Sequence, residues 1–324
     1  YDPSYTDMLR VSFTSEFRRG RLEDLVALLS GRNFETREYE DAIVEDTFSR
    51  LHDGILDFMN ETHFKRFIMI IRSAGFIASS MIRSQNALNF AYILYLTLRR
   101  DGVHSADIER YVRRWYVMSV LTGRYSGSPE SQIDLDIRRI DEMGIDAYAE
   151  TTISSQLSDA FWEGELLQSL ETSVASSPYW PIYSAAQVKM NDRGFLSRDI
   201  TVRELIEYRS DVHHIFPRDM MKKAGLTRSQ YNQIANYVIA QSEINIAIGN
   251  KPPATYFSQL WAQVSNGSDQ RYGNIAQPEE LRENFAMNCI PDGMESMTIE
   301  SYPIFLATRR ELMASKIKAY FAQL

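Results

Sequence analysis

The sequence predicts a mainly α-helical protein: a helical N-terminal domain, then a small two-strand, one-helix core embedded in further helices. Three observations carry this. Apolar residues recur at helical spacing through most of the first half. Segments of high β propensity are short and confined to the region around residues 211–240. Turn formers split the second half into brief elements. At 324 residues the chain has room for roughly two domains of about 150 residues. The small, proline-containing stretch Ser173–Pro181 sets the expected boundary, giving domains 1–176 and 177–324.

Taken in order, Leu22, Leu25, Leu28 and Leu29 form one helical face before Gly31, a C-terminal stop. Ile43, Phe48, Leu51, Ile55, Leu56 and Met59 form a broad stripe over 40–60. Thr62 is the expected cap of a helix over 63–72. Residues 87–98 are nearly all apolar or aromatic, which predicts a central buried helix. Ser105 is the expected cap of the next helix, which runs through Trp115 and Leu121. After the turn at 124–129, Pro129 starts a helix carrying Ile133, Leu135, Ile137 and Ile140. Another helix is expected over 155–170, and short ones over 183–190 and 201–208. Beyond Pro252-Pro253, helices are expected over 254–264, 278–288 and 304–324. The polar loop 265–272 between them has Asn266, Gly267, Ser268 and Asp269 as its turn formers.

Composition narrows the function classes. The single cysteine, Cys289, excludes an internal disulfide framework and a cysteine-based zinc cluster, and reads as a small buried residue. No run approaches the about 18 apolar residues of a membrane span, and no secretory signal is visible, so a cytoplasmic protein without a membrane partner is expected. There is no phosphate-cradling Gly-x4-Gly-Lys-Ser/Thr and no Gly-x-Gly-x-x-Gly. The net charge of −8 argues against a broadly basic surface. Residues 211–251, however, hold five positive and three negative side chains, the sign a phosphate-binding site needs.

That window holds the chemistry. His213 and His214 stand together in a strand-like run that ends at Pro217. Residues 236–240 offer a second strand. Ser242–Ile248 offers a short helix capped by Ser242. Phosphodiester hydrolysis needs a base for the attacking water and a cation on the phosphate. Neutral histidine suits the first task, and His213, His214, Asn236 and Asn245 supply groups for both. Successive strand residues face opposite sides, so the two histidines share a site only where the strand bends or ends. Asp211 reads either as a partner fixing a histidine tautomer or as a surface residue. His52, His63 and His104 read as surface or capping residues. Arg113, Arg114 and Arg124 beside Trp115 and Tyr125 read as an outward arginine face over inward aromatics, with base stacking as the alternative.

His213-His214-Ile215-Phe216-Pro217, Asn236-Tyr237 and Asn245 together resemble the HNH, or ββα-metal, nuclease motif. With Lys251, Pro253 and Tyr256, and with Leu121-Thr122-Gly123-Arg124-Tyr125-Ser126 upstream, the chain resembles the C-terminal nuclease region of GmrSD-type modification-dependent restriction enzymes. The resemblance is strong over about residues 205–257 and weak elsewhere. It implies a metal-dependent endonuclease that nicks or cuts DNA, the effector of a bacterial restriction or anti-phage system. His214 would be the general base, and Asn236 would hold the loop or orient that base. His213 and Asn245 would hold a divalent ion, Mg²⁺ or else Mn²⁺ or another. Arg218 and Lys251 would contact phosphates, with Lys222 and Lys223 behind them. Partners would be DNA, a modification-sensing and nucleotide-hydrolysing domain N-terminal to Tyr1, and a second copy of the chain in a homodimer. A catalytically silent DNA-binding or assembly module, or an RNase, stays open. The gap from His214 to Asn236 is longer than in the commonest motif, and two short helices are expected to fill it.

Overall fold

The computed structural model describes residues 1–174, 176–208, 211–266 and 270–324, with the side chains of Asp211 and Asn266 excepted. It is mainly helical, with a single two-stranded sheet among the described residues. The turn-forming role expected of Asn266, Gly267, Ser268 and Asp269 lies outside the described residues, and so does any contact of the Asp211 carboxylate.

Contacts divide the chain into two compact units, 1–74 with 82–158 and residue 324, and 75–81 with 159–323. The changeover at Ser158/Asp159 precedes the 176/177 boundary suggested by composition. The first unit is built from α1 (Tyr5–Phe17), α2 (Leu22–Leu29), α3 (Asp41–Met59), α4 (Glu61–Ser73), α5 (Gln85–Arg100), α6 (Ser105–Thr122), α7 (Pro129–Met143) and α8 (Ile145–Gln156). Residues 87–98 of α5 are buried without interruption, and α1 and α6 pack on them. An unbroken apolar run needs neighbours all round, and here it has them.

Several caps sit where the chain turns one or two residues earlier than expected. Asn60, not Thr62, caps α4 by accepting from the His63 amide. His104, not Ser105, caps α6 by accepting from the Ala106 amide. The helix expected over 155–170 starts later, since α8 ends at Gln156 and helical structure resumes at Asp159. Gly144, at φ +81°, separates α7 from α8, and a π-helical turn over Phe161–Glu165 leads into α9 (Leu166–Ser169).

Arg124, Tyr125 and Trp115 belong to a buried network. Asp136, fully buried, accepts from the Arg124 Nε at 2.8 Å and from the hydroxyls of Tyr125 at 2.7 Å and Tyr148 at 2.8 Å. Trp115 Nε1 donates to the Tyr125 hydroxyl at 2.9 Å. A buried carboxylate so saturated is an organiser of the helix bundle. Arg124 and Tyr125 are therefore committed to packing and do not form a base-stacking face. No helix among the described residues is long and apolar enough to cross a membrane.

The second unit holds α9, α10 (Tyr179–Lys189), α11 (Val202–Glu207), β1 (Asp211–His214), α12 (Arg218–Lys223), α13 (Arg228–Tyr231), β2 (Tyr237–Ala240), α14 (Ser242–Ile248), α15 (Pro253–Asn266), α16 (Pro278–Met287) and α17 (Tyr302–Ala322). Thr201 and Glu204 form a capping box at the start of α11, a reciprocal arrangement that satisfies two free amides. The long α17 packs on α10 and α9. Cys289 is buried here, and burial raises its thiol pKa.

Candidate active site

β1 and β2 pair antiparallel, with Asp211 opposite Ala240, His213 opposite Val238 and His214 opposite Tyr237. The pairing continues past β1, where the Ile215 amide donates to the Asn236 carbonyl at 2.9 Å. α14 follows β2 after one residue and packs back on β1. The local order is thus strand, strand, helix. Gln241 is the N-cap of α14 and makes no side-chain cap bond, so Ser242 is the first helical residue and not the cap.

Strand alternation sends the two histidines to different surroundings. His213 is 4% exposed, and its Nδ1 lies 2.5 Å from Asn245 Oδ1 on α14. Its Nε2 is buried with no hydrogen-bond partner among the described residues. Desolvation is the main cause that pulls the His213 pKa down to about 4, against the opposing bond to Asn245, so the ring is neutral near pH 7. His214 is half-buried, at the end of the strand. Its Nε2 lies 2.9 Å from Asn232 Oδ1, and its ring meets Tyr237 edge-on at 4.9 Å. Burial lowers its pKa too, and the nearby Arg218 charge adds to the shift, while Asn232 opposes it.

Asn236 is fully buried. Its Oδ1 accepts from the Phe216 amide at 2.8 Å, and its Nδ2 donates to the carbonyls of Phe216 and Tyr231, both at 3.1 Å. None of these three bonds reaches either imidazole. Asn236 thus holds the loop and makes no hydrogen bond to His214. Phe216 in turn packs on Tyr302 and Phe305 of α17, and Tyr256 donates to the Ile215 carbonyl at 2.9 Å.

The expected phosphate contacts divide. Arg218 is 60% exposed and 3.8 Å from Asp219. Lys222 and Lys223 are exposed on α12, with the Lys222 ammonium 6.0 Å from the Tyr231 ring centre. Lys251 is occupied differently. Its ammonium donates to the carbonyls of Ala247 and Ile248, closing the C-terminus of α14, where a cation is favoured by the helix dipole. It holds the helix that carries Asn245.

Two residues escaped the sequence reading. Asn232 meets His214, yet an asparagine after a one-turn helix reads as an ordinary cap. Arg309 of α17 is fully buried. It donates to the carbonyls of Ala235 and Tyr237 at 2.6 Å and of Cys289 and Asn288 at 3.2 Å. It pins the start of β2 from 72 or more positions away, so no local pattern announces it.

Among the described residues no group of three or more His, Cys, Asp or Glu side chains could hold a metal. The donors that converge are one neutral imidazole and one carboxamide oxygen. Such a pair fits a divalent ion that keeps most of its positions for water and phosphate. His52, His63 and His104 lie in the first unit. His63 contacts Asp57 at 2.8 Å, and His52 is 3.5 Å from Asp53.

No family model matches the chain, and no solved structure matches it. A curated relative, "Uncharacterized protein MJ0686" of Methanocaldococcus jannaschii, is 24% identical over 149 residues. That alignment covers 46% of this chain and 25% of the relative, so the chain spans about a quarter of that protein's length.

Proposed function

We propose that the chain is a metal-dependent HNH-type endonuclease that hydrolyses DNA phosphodiester bonds. The observation that carries this reading is the meeting of His213 Nδ1 and Asn245 Oδ1 at 2.5 Å across a strand-strand-helix unit, with His214 the next residue along. His213 and Asn245 would hold the ion, Mg²⁺ or else Mn²⁺ or another divalent ion. Bound there, a divalent cation supplies Lewis-acid stabilisation of charge on the scissile phosphate.

The protein's own residues do the rest. His214, neutral near pH 7, takes the proton of the attacking water. Asn236 fixes the backbone at Ile215–Phe216 and so the end of the strand that presents both rings. Arg218, exposed near His214, attracts the phosphate backbone, and Lys222 and Lys223 extend the positive surface. The wider setting we infer is an anti-phage or restriction effector in the cytoplasm, acting with a modification-sensing domain and as a homodimer when both strands are cut.

Supercoiled plasmid incubated with Mg²⁺ or Mn²⁺, with and without EDTA, tests the reading. Wild type is expected to nick or linearise it only with metal, and His214→Ala to be slower by about 10²–10⁴-fold. Equal cutting in EDTA, or by the variant, would end the assignment. Binding by both proteins without cutting would favour a silent DNA-binding module. Preference for RNA in a side-by-side assay would make it an RNase.

A further inference from the structure

The stretch between His214 and Asn236 is longer than the HNH pattern needs, and its two short helices end at the residue that meets His214. We propose that Asn232 is a positioning residue: its carboxamide oxygen holds the His214 imidazole in the Nε2–H form, leaving the lone pair on Nδ1 to face the attacking water. This rests on the reading of His214 as the general base.

The geometry is specific. A neutral imidazole carries one proton on either of two nitrogens, and a fixed acceptor at one of them selects that tautomer. Asn232 Oδ1 is that acceptor, 2.9 Å from Nε2. His214 Nδ1 has no hydrogen-bond partner among the described residues, so one nitrogen is committed and the other is open.

Asn232 is itself held from two sides. Its amide donates to the Arg228 carbonyl at 3.0 Å, closing α13. Its carbonyl accepts from the Tyr237 hydroxyl at 2.8 Å. Tyr237 sits opposite His214 in the sheet and meets its ring edge-on. One tyrosine therefore braces both members of the pair. Just before Asn232, Tyr231 is buried, and its carbonyl is held by the Asn236 side chain. The clasp that closes the loop thus anchors the residue adjoining Asn232. The extra length before Asn236 acquires a purpose in delivering this oxygen.

The test uses the full chain labelled with ¹⁵N-histidine. Long-range ¹H–¹⁵N correlation spectra distinguish the two neutral tautomers, and His214→Gln identifies the His214 signals. Wild type and Asn232→Asp, which keeps an acceptor oxygen in place, are expected in the Nε2–H form. Asn232→Ala is expected as a tautomer mixture. In plasmid cleavage Asn232→Ala should lower kcat roughly 10–100-fold with KM nearly unchanged, and Asn232→Asp should recover most of it. Tyr237→Phe, which removes only the hydroxyl on the Asn232 carbonyl, serves as a milder variant should Asn232→Ala not fold. It is expected to broaden the tautomer preference and to lower kcat by a smaller factor.

An Nδ1–H form in wild type, or an Asn232→Ala protein with wild-type spectra and kcat, overturns the proposal. If wild type cuts no nucleic acid, the nuclease reading fails alone, and the spectra still decide what Asn232 does.

Discussion

His213 is exposed by only 4%, and its pKa of about 4 sets a pH dependence that can be measured. In the unfolded chain the ring titrates near its ordinary 6.5. Between pH 6.5 and 4 the unfolded state binds a proton that the folded state refuses. Stability therefore rises with pH through this window and is lost as pH falls through it, by up to about 3 kcal/mol. Urea titrations at pH 7 and pH 4.5 should show the difference, and His213→Gln should flatten it. The same ring is expected to carry the metal. Asn245→Ala should abolish Mn²⁺ binding, read by electron paramagnetic resonance of the free ion, while the far-ultraviolet circular dichroism stays helical. Unchanged Mn²⁺ uptake would remove Asn245 from the ligand set.

At the scale of elements, Asn236 links the end of β1 to the start of β2 with three buried hydrogen bonds. Asn236→Ala leaves the Phe216 amide without its acceptor and should cost about 1–3 kcal/mol, measured by denaturant unfolding. Cleavage by the fraction still folded should fall, but by less than in His214→Ala, because Asn236 acts on the rings only through the Phe216 and Tyr231 backbone. The hairpin and α14 were legible in the sequence. Val212–Phe216 and Tyr237–Ala240 are rich in β formers, Pro217 forbids continuation, and α14 has the length of the expected helix. Helix starts were less legible. Asn60 and His104 cap one or two positions ahead of Thr62 and Ser105, because the backbone turn decides which of several polar neighbours reaches a free amide. The helix Ile145–Gln156 was not expected, because its buried residues Ile145, Ala149 and Ile153 stand among small polar ones. The motif brought His213 and Asn245 together, and the two side chains do meet. Asn232 and Arg309 were not legible, since their partners are fixed by packing between distant segments.

Across the whole molecule, the buried Asp136 network and the groups proposed to react belong to different compact units. Asp136 lies in the first unit and the paired histidines in the second. Asp136→Ala leaves the Arg124 guanidinium, whose side chain is 9% exposed, without its counter-charge. A loss of about 3–5 kcal/mol is expected. Hydrogen exchange should show it as faster exchange in α5, α6 and α7, with β1, β2 and α14 retaining their protection. Faster exchange spread equally over both units would mean that they unfold as one. The chain's acidity belongs to the same scale. A net charge of −8 coexists with exposed Arg218, Lys222 and Lys223 on one short helix, so composition over the full length concealed a local positive surface.

The bonds from Asn236 to Phe216 and Tyr231 have one more consequence. They close the excursion between the strands at its neck. Gly225 is at its tip, exposed and at φ +85°, with no other atom within 4 Å of where a Cβ would stand. Residues added there lengthen the excursion without passing through the neck. A peptide tag, a fluorophore site or a small foreign domain inserted after Gly225 should be carried with the hairpin intact.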